Sequence, residues 1–337
     1  MTNSAPMKLL LSAFALETWG ERILAAAPDG MLTFITAEEA GGSDVPCPAT
    51  IAFMTREVTG ASSKGNPTPE LRNFARCLRK SPDLKWLQIH PAGAELPIYR
   101  ELRGRGVKVT TASGATAITV AHSALGGLIA INRRFPLLAD AQRRHAWEPR
   151  LGLNAPRDCK GQTAVVVGLG PIGRNLAPLL KMLGMRVIGV RREASPVEPC
   201  DRTITYGELA SVLPETDVMV LCCPASPTTE GIANRAAFHA MPKGSLLVNV
   251  SRGVVAVEVE VIEALRSGQL AGAYLDVFER EPLDPASPLW DMPNVIVSPH
   301  TASHSLGQNE AIFDIFLDNL ARWREGRALR NDVDRLG

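Results

Sequence analysis

Short apolar runs alternate with stretches in which apolar residues recur every three to four positions, and this rhythm holds along the whole chain. The runs predict strands over Lys8–Phe14, Met31–Thr36, Thr50–Met54, Leu84–Ile89, Val107–Thr110, Val165–Val167, Met185–Val190, Val218–Cys222, Leu246–Val250, Ala271–Val277 and Val295–Val297. The helical spacing predicts helices from near Glu17, over Glu70–Arg79 behind Pro69, Ala94–Arg103, Ile172–Leu183, Tyr206–Leu213, Arg235–Met241 and Glu258–Ser267. A longer helix is expected from Ala115 to about His145. An amphipathic tail is expected over Leu306–Gly326, with Ile312, Ile315, Phe316, Leu320 and Trp323 on one face. Gly, Pro and polar residues mark Ala37–Pro48, Arg56–Pro69 and Glu148–Lys160 as loops, the second a long polar excursion that reads as a lid or an insertion. Strand–helix alternation of this kind predicts a doubly wound α/β layout.

A chain of 337 residues is long enough for two cores. Its 36 basic and 35 acidic side chains leave a formal charge of +1, which gives no electrostatic reason to expect nucleic acid or an anionic membrane as a partner. The six cysteines form no C-x-x-C pair, which argues against a zinc site and a disulfide framework and for a reducing, cytoplasmic compartment. No secretory signal is read at the N-terminus. Ala115–Ile131 is apolar enough to invite comparison with a membrane span. His122, Ser123, Thr116, Thr119 and the pair Gly126-Gly127 suit close packing inside a protein or a subunit interface better than lipid.

The strand Val165–Val167 runs into Gly168-Leu169-Gly170-Pro171-Ile172-Gly173 and then a helix. That is G-x-G-x-x-G in strand–turn–helix context: Gly168 for the turn, Gly170 for close approach of a pyrophosphate, Gly173 for helix packing. The helix start itself favours phosphate. The competing reading is a chance glycine turn. Ligands of open α/β sheets bind past the carboxyl ends of the strands, so the residues there are the candidates. Arg191 and Arg192 follow one strand, where an acidic residue would take the ribose hydroxyls of NAD and a cation suits the 2′-phosphate of NADP. NADP is therefore expected over NAD, against the alternative of two solvated arginines. Cys223-Pro224 and Thr228 follow the next strand, then Val250-Ser251-Arg252, then Asp276 to Leu283, then Ser298-Pro299-His300. A guanidinium, a carboxylate and an imidazole thus gather along one sheet edge.

With these motifs the chain resembles the D-isomer-specific 2-hydroxyacid dehydrogenases. The resemblance rests on G-L-G-P-I-G at 168–173, V-N-V-S-R-G at 248–253, L-D-V-F-E-R-E-P-L at 275–283 and S-P-H at 298–300. It extends from about residue 84 to the tail Asn319–Val333; the first 80 residues match only in rhythm. It implies two doubly wound, Rossmann-like parallel-sheet domains with a cleft between them. One is a discontinuous substrate domain, residues 1–104 plus 301–337; the other, residues 105–300, binds the dinucleotide. It further implies a homodimer using the helix from Ala115, and a small 2-keto or 2-hydroxy acid as substrate.

The resemblance gives Arg252, Glu281 and His300 the catalytic roles, and the chemistry agrees. His300 supplies a proton near neutral pH, Glu281 favours the imidazolium, and Arg252 offers a planar fork to the substrate carboxylate and keto oxygen. Each alone has a plainer reading, as a structural His, a solvated Arg and a turn Glu. Implied further are Ala92, Gly93 and Ala94 in the loop Pro91–Glu95 as a carboxylate grip, or a plain strand-to-helix turn. Asp276 is implied on the nicotinamide side, and Thr228, Pro224 and Thr116 along the cofactor. His122 stands where the family commonly has an acid and is read as a packing or interdomain residue. His304 is read as a helix-start or rim residue. Formate or phosphite oxidation on the same fold, and a cofactor-sensing binding protein, are the competing functions. Among substrates, glyoxylate, hydroxypyruvate, pyruvate and bulkier keto acids all remain open.

Overall fold

The structure is a computed structural model and describes residues 7–27, 30–42, 45–60, 67–94, 96–149, 152 and 155–335. The chain divides into two compact units, Met1–Thr116 with Leu306–Gly337, and Ala117–Ser305.

In the first unit five strands, β1 (Met7–Leu11), β2 (Leu32–Thr36), β3 (Ile51–Met54), β4 (Trp86–Ile89) and β5 (Lys108–Thr110), form a parallel sheet in the order β2-β1-β3-β4-β5. β3 and β4 are buried at every position, as suits a sheet covered on both faces. The C-terminal helix Gln308–Arg324 closes one face. Phe316 stacks on Phe53 with ring centroids 4.3 Å apart, and Phe313 stacks on Trp19 at 5.1 Å. Burying each such ring is worth roughly 2–3 kcal/mol, enough to keep the distant helix in this unit. A buried polar chain fixes its register. Trp86 Nε1 donates to Thr110 Oγ1, Thr110 Oγ1 donates to Gln88 Oε1, and Asn319 Nδ2 donates to the same Gln88 oxygen at 3.0 Å.

Several local expectations are corrected here. The first strand stops at Leu11, because Ser12 accepts from Ala15 N–H and caps a helix over Ala13–Ala25. Part of the expected loop 37–48 is a helical turn, Ala37–Ala40, capped by Thr36, with Glu38 and Glu39 in its first turn. The polar excursion opens with another helical turn, Arg56–Thr59, and closes on Thr68, the cap of Pro69–Arg79; residues 61–66, and with them the question of a lid, lie outside the described residues. The helix expected from Ala94 begins at Pro97, the favoured first position for proline.

In the second unit seven strands form a parallel sheet: β6 (Thr163–Val167), β7 (Arg186–Arg191), β8 (Arg202–Thr205), β9 (Val218–Leu221), β10 (Ser245–Asn249), β11 (Leu270–Leu275) and β12 (Val295–Val297). Their order is β12-β11-β10-β9-β6-β7-β8. β8, an R-T-I-T edge strand too short and polar to stand out, was not expected. The long helix expected from Ala115 to His145 is two, Ala117–Asn132 and Phe135–Arg143. Arg134 breaks it in a left-handed conformation at φ 58°, ahead of Pro136. The tight packing expected of its small residues occurs at Gly127, where a Cβ would stand 2.2 Å from the Tyr274 ring. His122 is exposed on this helix. Among the described residues no helix is long and apolar enough to cross a membrane, and no cluster of His, Cys, Asp or Glu could hold a metal.

The two units divide after Thr116 and after Ser305, beyond the expected 104 and 300. β5 belongs to the first sheet through its pairing with β4 and its bridge from Thr110 to Asp332.

Candidate active site

The order of strands in the second sheet reverses at β6, whose neighbours are β9 and β7. The glycine turn leaves β6 at this switch point, where an open sheet has a crevice past its carboxyl ends. Gly168 is left-handed at φ 107°, and a Cβ there would meet the Cys223 backbone at 2.6 Å. The turn is held from both sides: Gly168 N–H donates to Val190 O at 2.8 Å, and Cys222 Sγ donates to Gly168 O at 3.0 Å. Burial pushes both neighbouring thiols up, Cys223 to about 11, so both stay protonated near neutral pH. A Cβ on Gly173 would stand 2.1 Å from Gly168 O, so this glycine brings the helix Pro171–Met182 against the turn itself. At Gly170 an added Cβ meets nothing within 4 Å, and no side chain caps the helix there. Open space, unspent first-turn N–H groups and the positive end of a helix fit a pyrophosphate. Ile172 is half-buried beside this opening.

Arg191 ends β7 and lies 3.1 Å from Ser195 Oγ; Arg192 next to it is exposed. Neither forms an ion pair among the described residues. Past β9, Cys223 is buried and Pro224 exposed. The expected Thr228 is exposed, and the threonine that shapes this loop is Thr229, 1% exposed, donating to Pro224 O at 2.7 Å and accepting from Ser226 N–H at 2.9 Å. The signal for Thr229 is local, a Ser three residues before a Thr.

Past β10, Val250 and Ser251 are buried, and Asn249 Oδ1 accepts from Ser251 N–H. Arg252 emerges half-buried with Nη1 donating to Ser251 O at 2.8 Å. Gly253 decides where that loop lies. A Cβ there would overlap Phe278 O at 2.0 Å, so only glycine lets the Arg252 loop touch the loop that carries Glu281. The motif V-N-V-S-R-G contains this glycine, but its spacing alone does not show the contact with Phe278.

Past β11 and β12 the carboxylate and the imidazole meet: Glu281 Oε2 lies 2.8 Å from His300 Nδ1, and Glu281 Oε1 accepts from Phe278 N–H. The Glu281 bond raises the His300 pKa above 6.5 in spite of burial and the Arg252 charge, with the Glu281 and Asp276 charges adding to the rise. Burial works against the Glu281 carboxylate, but the His300 bond and charge, the Phe278 N–H and the Arg252 charge hold it below its ordinary value. Arg252 thus acts on both members of the pair. His300 sits in the left-handed region at φ 54°, a conformation costing about 1 kcal/mol. Asp276 secures it. This carboxylate is 2% exposed, its backbone O accepts from His300 N–H at 2.9 Å, and Oδ1 accepts from Ser298 Oγ at 2.6 Å and Thr301 N–H at 2.9 Å. Within this unit Asp276 is a clasp for the histidine loop. His304 is exposed beyond that loop, before the last helix.

In the other unit Ala92, Gly93 and Ala94 follow β4, with Ala92 exposed and the other two half-buried; Glu95 lies outside the described residues. Pro91 O accepts from Ala112 N–H at 3.0 Å, which ties this loop to the segment ending in the half-buried Thr116.

Residues 125–302 match the family described as D-isomer specific 2-hydroxyacid dehydrogenase, NAD binding domain. The chain belongs to the D-isomer specific 2-hydroxyacid dehydrogenases. This dehydrogenase is 31% identical over 267 residues to a glyoxylate reductase of Korarchaeum cryptofilum, covering 77% of this chain and 79% of that one. Among solved structures it is similar to a family member from Xanthobacter autotrophicus Py2 in complex with NADPH and MES. There the TM-score is 0.75 and the identity 28%, over 97% of this chain and 98% of that one. It is also similar to an NADPH-dependent glyoxylate/hydroxypyruvate reductase from Sinorhizobium meliloti, solved with NADP and sulfate. That match has a TM-score of 0.74 and 27% identity, over 98% and 99% of the two chains.

Proposed function

We propose that the protein reduces a small 2-keto acid of the glyoxylate and hydroxypyruvate class to the D-2-hydroxy acid, with NADPH preferred. The observation that carries this reading is the Glu281–His300 pair at 2.8 Å under the charge of Arg252. Glu281 engages Nδ1, so the proton for transfer is held at Nε2, and the raised pKa favours the protonated ring. His300 gives that proton to the keto oxygen. Arg252 holds the substrate carboxylate and draws charge toward the same oxygen with its planar fork. When bound, the reduced nicotinamide supplies the hydride for the carbonyl carbon.

The residues toward the cofactor are Gly168, Gly170, Pro171, Ile172 and Gly173 at the pyrophosphate, and Arg191 and Arg192 at the 2′-phosphate. Cys223, Pro224, Thr228, Val250, Ser251, Asp276 and Thr116 line the remainder. Ala92, Gly93 and Ala94 are proposed as backbone donors to the substrate carboxylate, which gives the first unit the substrate role and the second the dinucleotide role. The names of the relatives support the substrate class, and the nicotinamide phosphates in the solved relatives support NADP. A homodimer through the helix Ala117–Asn132 completes the reading, with a molar mass by light scattering of twice one chain expected.

The test is nicotinamide oxidation with glyoxylate, hydroxypyruvate, pyruvate and bulkier keto acids, each with NADPH and NADH, and chiral analysis of the product. Turnover of a small keto acid to the D-product is expected. Cofactor binding without turnover of any of them would make the protein a sensor, and turnover of formate or phosphite instead would change the substrate.

A further inference from the structure

We propose that the second unit carries another binding site, for a small dianion, at the edge of its sheet opposite the glycine turn. A cavity of about 190 Å³ lies there. It is lined by Gln162, Asp217 and Lys243, which come just before β6, β9 and β10, and by Asn132, Arg134 and Arg157. The strands are parallel, so this edge is the one away from Gly168, Cys223 and Arg252. At about 3.3 Å per residue, strands of this length separate the two edges by roughly 15 Å.

Three cations and one carboxylate line the cavity. The carboxylate is already spent: Asp217 Oδ1 takes Arg157 Nη2 at 2.7 Å, and Oδ2 accepts from Thr163 N–H at 2.9 Å. Arg134 and Lys243 have no ion pair among the described residues, which leaves a surplus of two positive charges facing a concave surface. Asn132 braces the wall, its Nδ2 donating to Arg157 O at 3.0 Å.

Gln162 adds a neutral donor to the same wall. It is 5% exposed, yet its side-chain amide makes no hydrogen bond among the described residues, although it lines the cavity. The amide atoms are open to the cavity, so its N–H can donate to an occupant's oxygen. Two unspent cations and one amide donor match a phosphate or a dicarboxylate, and a cavity of about 190 Å³ has room for either. A neutral or cationic ligand would leave both charges unmatched.

Calorimetric titration of the full chain tests this, with NADPH or NADH at saturation so that the cofactor's own phosphate site is filled. Inorganic phosphate and succinate are the two probes, and chloride at equal ionic strength is the control. Saturable binding of one phosphate or one succinate per chain is expected, and whichever binds names the ligand as phosphorylated or dicarboxylic. Lys243→Gln, at an exposed position, and Arg134→Gly, which suits the left-handed backbone, should each weaken it about tenfold, as for loss of one charged hydrogen bond. Gln162→Met should weaken it in the same direction. The readout needs no turnover, so it stands or falls apart from the keto-acid reading. No saturable binding, equal binding of chloride, or affinity unchanged in all three variants would overturn the proposal.

Discussion

Glu281 Oε2 and His300 Nδ1 are 2.8 Å apart, and the half-exposed imidazole is thereby turned so that only its other nitrogen is free to face a substrate. The pair is assembled from two loops that are distant in sequence and adjacent in the sheet, past β11 and past β12.

The pH dependence follows from the direction of the shift. The His300 pKa lies above 6.5, and reduction needs its protonated form. kcat/KM for keto-acid reduction should therefore be full on the acid side and fall as pH rises through the His300 pKa, at a midpoint above 6.5. Oxidation of the hydroxy acid should rise over the same range. Glu281→Gln removes the largest cause of the shift, so its midpoint should move toward acid; an unmoved midpoint would assign the titration to another group.

His300→Ala should lower kcat by about two orders of magnitude or more, the range for loss of a general acid. Cofactor affinity, measured by fluorescence titration, should stay near wild type, because the glycine turn is built without the histidine. Turnover close to wild type would mean that the proton has another source.

Replacing Arg191 and Arg192 together by Ser should cut kcat/KM for NADPH by about tenfold or more, the cost of one lost charged hydrogen bond. The value for NADH should change little. The ratio of the two efficiencies is the measurement, and equal losses with both cofactors would remove the 2′-phosphate assignment.

Gly170→Ala and Gly173→Ala separate binding from folding. The first adds a methyl into open space, so thermal stability should hold while cofactor affinity drops. The second puts a methyl 2.1 Å from Gly168 O and should destabilise by about 1–3 kcal/mol, seen as a lowered Tm. Two equally stable variants would contradict the packing described for this turn.

Much of this protein was legible along the chain because its signals are local. Val165–Val167 followed by Gly168, Gly170 and Gly173 announced strand, turn and helix. The apolar face of the last helix, from Ile312 to Leu320, announced a buried partner without saying which. The misreadings have physical causes of the same kind. One side-chain oxygen at Ser12 ends the first strand earlier than apolar character suggests, and one left-handed residue at Arg134 splits a helix that composition alone would continue.

Contacts between distant positions were not legible. The sequence determined which side chains stand at the carboxyl end of each strand, since alternation and turn chemistry act within a few residues. Only the tertiary structure decided that Gly253 admits Phe278, that Thr229 holds the loop past β9, and that Asp276 clasps Ser298 and Thr301. Those outcomes depend on which loops the strand order makes neighbours, and strand order is set by packing over the whole sheet.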